Sequence, residues 1–463
     1  MNQPIIRFEQ LDFLGPDRGP DQLEGLKVLV LGLGTHGGGT DLVHFLHSKG
    51  AIVTVSDHAP RSTLNASIEL IDSIIPEENI HLGGHQADHL RGIDWAVINP
   101  AIPPAAPFLQ HVYESGVRPV TELGLFLAWA PHQHLAAVTG TNGKSTVCAL
   151  AHDMISASGL PVRVGGNFGG SLLSQLESCS TETRWIVEIS SFQASRLGTE
   201  IPRPPVVALT PFAPDHLDWH GDEETYFQAK LNLLRPPHRQ SQSVIAAPDS
   251  PFVAAISELE TTPNLISMID PELQTNDYAS ANPNLDGVTG RSNLALAMTL
   301  AKKLGATKEG CQTAAKSFSG LPHRFEVVTR KNGVTFINDS KATTPDATIS
   351  ALDRIEGRVI WLCGGKDKGI DLDPLASSIS KRNIHIFAYG DSADRLLGAI
   401  KSRAPHNLAR RCDHLDEAFE SAVDLCQPGD TILLSPAFPS YDQYTSFEER
   451  GEHFRNLVIG LEE

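Results

Sequence analysis

The stretch that most limits what this chain can become is Leu135-Ala136-Ala137-Val138-Thr139-Gly140-Thr141-Asn142-Gly143-Lys144-Ser145-Thr146. Its first four apolar residues read as a buried parallel strand, and two glycines then turn the chain. Lys144, Ser145 and Thr146 open a helix continued at helical spacing by Val147, Leu150, Ala151, Met154 and Ile155 and stopped by Gly159. Strand, glycine turn and helix N-terminus in succession form an anion site, because unpaired backbone N–H groups and the positive end of the helix dipole point at the same place. Lys144 is placed to reach β- and γ-phosphate oxygens, and a hydroxyl of Ser145 or Thr146 to ligate Mg²⁺. The usual G-x-x-x-x-G-K-[ST] loop has glycine where Val138 stands, so the loop is the shorter G-T-N-G-K-S-T. A tight βα turn without a ligand is the alternative.

A length of 463 residues fits two to four domains, and 41% hydrophobic residues is ordinary for a globular chain. No apolar run is long enough to span a membrane. Met1 to Gly25 has no signal-peptide core and is expected to form a loosely ordered extension. The cysteines, at positions 148, 179, 311, 363, 412 and 426, form no C-x-x-C pair, which points to reduced thiols in a cytoplasmic protein. A net charge of −18 argues against a general nucleic-acid or membrane-surface binder.

Lys27 to Leu31 reads as a strand entering Gly32-Leu33-Gly34-Thr35-His36-Gly37, and a second strand, Ile52 to Ser56, ends at Asp57. This is G-x-G-x-x-G with an acid 20 residues past the last glycine. Alone it suggests an NAD-dependent oxidoreductase, but the same turn serves other nucleotides or merely closes a βα unit. Downstream of the phosphate loop, Gly165-Gly166-Asn167-Phe168-Gly169-Gly170 is a glycine-rich turn. Glu188 interrupts the apolar strand Trp185 to Ile189, where a buried carboxylate is costly unless paired or on a metal. The strand Val206 to Leu209 leads into the dense D-H-L-D-W-H at Asp215 to His220, a metal-binding segment or a capped acidic loop. Later strands at Val334–Ile337, Val359–Leu362, Ile384–Ala388 and Thr431–Leu434 each end in polar or glycine residues. Strands alternating with helices imply an α/β chain of doubly wound parallel sheets, with ligands gathered at the strands' carboxyl ends.

Taken together, G-T-N-G-K-S-T, G-G-N-F-G, E-I-S-S-F-Q, D-H-L-D-W-H with a later A-K, G-L-P-H-R-F-E, N-D-S-K-A-T, G-G-K-D-K-G, L-S-P-A-x-x-S-x-D-Q and F-x-x-R-G resemble the Mur ligases, most of all their D-glutamate-adding branch. The resemblance is colinear over nearly the whole chain. It implies a Rossmann-like UDP-sugar domain (1–121), a central P-loop ATPase domain with a mainly parallel sheet (122–320) and a Rossmann-like amino-acid-binding domain (321–463). It implies a cytoplasmic, monomeric, ATP-dependent amide ligase of peptidoglycan synthesis, with UDP-N-acetylmuramoyl-L-alanine and D-glutamate as substrates. Another Mur-type or folylpolyglutamate-type ligase is the near alternative, and a non-catalytic nucleotide-binding partner a more distant one.

Carried over residue by residue, Gly140, Thr141, Asn142, Gly143, Lys144, Ser145 and Thr146 would hold ATP, with Asn293 at its adenine and Arg324 and Asp339 gripping the nucleotide. Ser145 or Thr146, Glu188, His216 and a carbamylated Lys230 would hold two Mg²⁺ ions. Asn167 and Ser190 would touch substrate near the reacting carboxylate. Lys341, Thr343, Lys368, Ser440, Tyr441 and Phe447 would surround D-glutamate. Thr35, His36, Asp57 and His58 lie where the family binds the uridine diphosphate. Carbamylation needs Lys230 as a neutral amine, which costs roughly 4 kcal/mol near pH 7.4 from an ordinary pKa of about 10.4. The sequence departs from the family at Thr289-Gly290, where a His-Asn pair is usual, at Asn99-Pro100-Ala101, where Ser-Pro-Gly is usual, and at Thr35-His36 with the triple glycine that follows.

Overall fold

A computed structural model describes residues 13–461 except 36, 169–170, 236–241, 248–249, 258–263, 269–281, 283–284, 286, 368 and 381. Two expected ligand-binding residues, His36 and Lys368, therefore lie outside the described residues. The chain forms two compact units, one ending at Phe318 and the other beginning at Ser319.

The first unit contains two sheets. One is built from β1 (Lys27–Leu31), β2 (Ile52–Asp57), β3 (Ile80–Leu82), β4 (Trp95–Ile98) and β5 (Arg118–Val120), all parallel, in the order β3-β2-β1-β4-β5. The order reverses between β1 and β4, so the crevice at their carboxyl ends is the expected ligand position. The glycine run after β1 departs from the simple reading. Gly37 has room for a side chain, whereas a Cβ on Gly39 would stand 2.0 Å from the Leu33 carbonyl oxygen. Gly39, inside the helix Gly38–Ser48, therefore lets helix and strand approach, while Gly37 at the N-cap takes the left-handed conformation (φ 84°) that favours glycine. Gly39→Ala is expected to destabilise the first unit by about 3 kcal/mol through this overlap, read as a lowered urea midpoint, while Gly38→Ala has open space and should change it little.

The second sheet comprises β6 (Leu135–Thr139), β7 (Val162–Gly166), β8 (Arg184–Glu188), β9 (Val206–Leu209), β10 (Ser243–Ala246) and β11 (Asn264–Met268), again parallel, in the order β11-β10-β9-β6-β8-β7. Strand β6 is thus central, flanked by β8 and β9, and every residue of it is buried. This placement brings the ends of three strands to the phosphate loop: Val138 is in register with Glu188, and Thr139 with Leu209.

A short helix joins the two sheets. Glu122–Trp129 is apolar on every side, and Leu123, Leu125, Phe126 and Leu127 are all buried. A helix with no polar face must be covered all round. Phe126 packs edge-on to Trp185 of β8 at 4.9 Å, and Trp129 stacks on Trp95 of β4 at 6.5 Å. One apolar cluster runs from Val28 and Val97 through these residues to Ala137 and Val187.

The described part of the expected loose extension is ordered by specific contacts. Phe13 and Leu23 are fully buried, Leu14 N–H donates to the Pro119 carbonyl (3.0 Å), and the Trp95 and Trp129 indoles donate to Asp17 and to the Arg18 carbonyl. Gly198 closes against this segment so tightly that a Cβ there would meet the Phe13 carbonyl oxygen at 1.7 Å. Residues 13–25 thus belong to the packed body, because they bury Phe13 and Leu23 and accept from two indole N–H groups.

The second unit is a single sheet, β12 (Glu326–Lys331), β13 (Val334–Asn338), β14 (Val359–Gly364), β15 (Ile384–Tyr389), β16 (Ala409–Arg411) and β17 (Thr431–Leu434), in the order β12-β13-β17-β14-β15-β16. Only the hairpin β12–β13 is antiparallel, and its Asn332-Gly333 turn has both residues at positive φ, as a two-residue hairpin requires. The carboxyl ends of β13, β17, β14 and β15 carry the N-D-S-K-A-T, S-P-A and G-G-K motifs and the Tyr389 turn together at one edge. All six cysteines are free thiols.

Candidate active site

The phosphate loop is held by the loop after β9. Thr141 N–H donates to the Pro211 carbonyl (2.9 Å), and Thr141 Oγ1 donates to the Ala213 carbonyl (2.8 Å) and meets the Tyr226 hydroxyl at 3.0 Å. Both glycines are obligatory. A Cβ on Gly140 (φ 141°) would stand 2.1 Å from Thr210 Oγ1, and one on Gly143 (φ 91°) 2.4 Å from Asn293 Oδ1. Gly143 caps the helix Lys144–Ala157 with no side-chain cap, so the positive end of that helix faces the turn, a setting that favours an anion. Asn293, from the helix Gly287–Lys303, is buried directly against the loop, and its Oδ1 has no hydrogen-bond partner. The departing residues Thr289 and Gly290 lie on the first turn of the same helix. Gly290 there passes so close to Leu285 that a Cβ would meet its carbonyl oxygen at 2.4 Å.

Two lysines share one backbone oxygen in this loop. Lys144 Nζ donates to the Gly140 and Thr141 carbonyls at 3.1 and 2.7 Å, and Lys230 Nζ donates to the Gly140 carbonyl at 2.7 Å. Lys230, on the helix Glu223–Leu231, is fully buried over the Tyr226 ring (4.3 Å). Burial first, and the neighbouring Lys144 charge second, hold its pKa well below the usual lysine range.

Glu188 ends β8 beside them. Its Oε1 accepts from Asn167 Nδ2 at 2.9 Å, while its Oε2 is buried with no hydrogen-bond partner. A Cβ on Gly166 would stand 2.3 Å from the Glu188 carbonyl oxygen, which explains a glycine there, and Asn167 N–H donates to that same oxygen (2.9 Å). Ser190, next along, is an N-cap: its Oγ accepts from Gln193 N–H (3.2 Å) in a capping box. His216 takes a left-handed backbone conformation (φ 52°) that a histidine adopts only at a cost, and its half-exposed ring packs on Phe192 at 4.9 Å. Lys144 and Lys230 thus meet at the Gly140 carbonyl, Glu188 is in register with Val138, two residues before Gly140, and the His216 ring lies 6.3 Å from that of Tyr226, whose hydroxyl meets Thr141. Among the described residues no three His, Cys, Asp or Glu side chains gather as a ready-made metal site. The orphaned Glu188 Oε2 nevertheless fits a divalent cation, because a desolvated carboxylate oxygen without a donor is what such an ion satisfies.

At the first sheet, Asp57 is buried with both oxygens engaged, Oδ2 by Gly34 N–H (3.0 Å) and Oδ1 by Ala59 N–H (2.8 Å). It clamps the glycine turn, which weakens the case for a ribose-binding acid of an NAD enzyme. Thr35 and His58 are exposed beside it. The sequence reading overlooked a pair of histidines there: Ser56 hydrogen-bonds the Nδ1 of both His85 (2.8 Å) and His89 (3.1 Å), and burial pulls both imidazoles below their ordinary range.

In the second unit, Asp339 accepts from Phe325 N–H (2.9 Å) and Ser435 Oγ (2.8 Å), and burial raises its carboxyl to about 6. Arg324 is near enough to act on that carboxyl electrostatically. Lys341 lies over the Phe447 ring at 5.2 Å, Thr343 N–H donates to the Lys341 carbonyl (2.9 Å), Ser440 is buried and Tyr441 is exposed. Arg450, quoted in the sequence only as part of F-x-x-R-G, is the hub. Fully buried, it donates to Ser340 Oγ (3.0 Å) and to the Ser340 (2.9 Å), Phe438 (3.1 Å) and Gly364 (3.4 Å) carbonyls, tying three loops together. Ala437, at positive φ, lies in one of these loops, and His323 and Phe325, also at positive φ, lie in the segment that leads into β12.

A glycine loop on a central parallel strand, a lysine-bearing helix N-terminus and a buried carboxylate with one open oxygen define an α/β protein that handles a nucleoside triphosphate with a metal ion. Comparison with known proteins narrows the class. Three successive family descriptions match: "Mur ligase MurD-like, N-terminal domain" over residues 26–121, "Mur ligase middle domain" over 138–296 and "Mur ligase, glutamate ligase domain" over 323–438. A UDP-N-acetylmuramoylalanine–D-glutamate ligase of Desulfosudis oleivorans is 33% identical, with 96% of this chain and 98% of the relative covered. Its counterpart in Roseiflexus is 32% identical over 94% and 99%. The chain belongs to the Mur ligase family, whose members are ATP-dependent ligases. Its fold is shared with UDP-N-acetylmuramate-alanine ligase MurC of Thermotoga maritima, at TM-score 0.57 and 16% identity over 94% of this chain and all of that one.

Proposed function

We propose that this protein joins D-glutamate to UDP-N-acetylmuramoyl-L-alanine at the expense of ATP, in peptidoglycan synthesis. The observation that carries the reading is the colinear match, over nearly the whole chain, to relatives named for that reaction. In this reading the three domains are those expected above, 1–121, 122–320 and 321–463, in a cytoplasmic monomer. Among the described residues no helix is long and apolar enough to cross a membrane.

The alanyl carboxylate attacks the γ-phosphorus of ATP, giving an acyl phosphate and ADP. The D-glutamate amine then attacks the acyl carbon, its proton is lost, and phosphate leaves. In the first step two anions must meet. Lys144 and the helix N-terminus at Gly143 to Thr146 would receive the phosphates, with Asn293 near the adenine. Ser145 or Thr146, Glu188, His216 and Lys230 would hold Mg²⁺, which when bound supplies charge neutralisation between carboxylate and triphosphate. Lys230 would serve as its carbamate: the burial that depresses its pKa already prepares the neutral amine that addition to CO₂ requires. Asn167 and Ser190 would orient the reacting carboxylate. Thr35, His36, Asp57 and His58 would bind the uridine diphosphate. Arg324 and Asp339 would grip the nucleotide, and Lys341, Thr343, Lys368, Ser440, Tyr441 and Phe447 the D-glutamate.

The test is ADP release across a panel of amino acids and UDP-sugars. Release is expected only with UDP-N-acetylmuramoyl-L-alanine and D-glutamate together. Equal stimulation by L-glutamate, or by meso-diaminopimelate with the dipeptide substrate, would assign the chain to another ligase.

A further inference from the structure

A buried arginine joins the first two sheets with no carboxylate beside it. Arg196 lies just after the S-S-F-Q helix and is 3% exposed. Its guanidinium donates to two carbonyl oxygens of one turn, Asn99 (2.9 Å) and Ile102, both beyond the carboxyl end of β4. It lies between aromatic rings, 5.3 Å from the centre of Phe13 and 5.9 Å from that of Trp219. No carboxylate enters the charges that act on it; burial draws its pKa down to about 10, opposed by the Tyr113 phenol. A desolvated cation offset by carbonyl dipoles and aromatic rings but by no carboxylate favours an anion nearby.

The turn it holds is the one that departs from the family's Ser-Pro-Gly. Asn99 Nδ2 donates to the Gly32 carbonyl (3.1 Å), and a Cβ on Gly32 would meet Asn99 Cβ at 2.8 Å, so this turn and the glycine turn are packed as one piece. Together they rim the crevice between β1 and β4. We propose that Arg196 is a positioning residue of the nucleotide-sugar site: it draws the Asn99 and Ile102 carbonyls onto itself, where they would otherwise repel a diphosphate, and sets a buried positive charge behind that turn. The inference rests on the reading that the first sheet receives the UDP-sugar. It also gives the departure at Asn99-Pro100-Ala101 a physical sense, since the central module supplies the support for a turn that lacks the usual glycine. On the far side, Trp219 packs on Phe192 at 4.6 Å, and Phe192 touches His216, so the same arginine links the sugar-nucleotide turn to the metal-side histidine.

The test compares Arg196→Gln and Arg196→Lys with the unaltered enzyme. Arg196→Gln is expected to raise KM for UDP-N-acetylmuramoyl-L-alanine about 10- to 100-fold, the range for one hydrogen-bonded charge. The Kd of UDP, measured by calorimetry, should rise in parallel, while KM for ATP and D-glutamate and kcat stay within about threefold. Arg196→Lys keeps the charge and should recover part of the loss. If Arg196→Gln does not fold, the lysine variant carries the test, with a rise in UDP Kd expected from its lost bidentate geometry. Unchanged UDP affinity in a folded variant, or equal losses for all three substrates, would overturn the inference. Should the unaltered chain bind UDP yet fail to use the sugar substrate, the proposed function falls while the arginine's role is still decided by UDP affinity.

Discussion

Lys144→Ala is expected to cut ATP-dependent product formation by about 10³-fold or more, because it removes the one loop side chain able to follow charge onto the γ-phosphate. In the structure its ammonium rests on the Gly140 and Thr141 carbonyls, two acceptors that an incoming phosphate would replace. The residue is half-buried and outside the apolar clusters, so the melting temperature should stay within a few degrees. A coupled ADP-release assay with a thermal melt on the same sample checks both statements. A folded variant retaining more than a tenth of the activity would remove Lys144 from the proposed phosphate site.

Lys230→Ala is the second large effect, with a different signature. Activity should fall by a comparable factor, about 10³-fold, because the site loses its proposed carbamate. The substitution leaves a space beside the Gly140 carbonyl that a small carboxylate could enter. Formate or acetate at high concentration should then restore part of the rate to Lys230→Ala and none to Lys144→Ala. Stability follows a definite sign. A lysine whose folded pKa lies below its unfolded value binds fewer protons when folded, so unmodified Lys230 makes stability rise with pH between the two values. That slope should flatten in Lys230→Ala, read from urea midpoints over pH 7 to 10 without CO₂. A variant that keeps full activity, or one that no carboxylate helps while its fold is intact, would argue against the carbamate.

The strands that were legible were those whose neighbours bury them on both faces. Strands β1, β2, β4, β6, β8, β9, β14, β15 and β17 are near-continuous apolar runs, and such runs announce central parallel strands. The three-residue strands Ile80–Leu82, Arg118–Val120 and Ala409–Arg411 were not read, and β16 is wholly exposed at a sheet edge. At the site, the loop glycines and Glu188 were legible because each breaks the local pattern of its segment, whereas Lys230 was marked only by the resemblance to the family. Arg196 and Arg450 were not singled out, since a buried arginine bonded to distant carbonyls leaves no periodic trace. The steric need for Gly39 was not legible for a related reason: only the approach of the Leu33 carbonyl reveals it. The order of residues 13–25 depends on indole and carbonyl partners about 80 to 110 residues away, at Trp95 and Trp129, which no local reading connects.

The central claim, that phosphate is transferred to the sugar-linked carboxylate before the amide forms, is tested most directly by isotope transfer. UDP-N-acetylmuramoyl-L-alanine labelled with ¹⁸O in its alanyl carboxylate would be turned over with ATP and D-glutamate, and the released phosphate analysed by mass spectrometry. An acyl phosphate requires that the attacking carboxylate oxygen leave with phosphorus, so every phosphate formed should carry label. Phosphate free of ¹⁸O, formed in step with the amide product, would contradict the account.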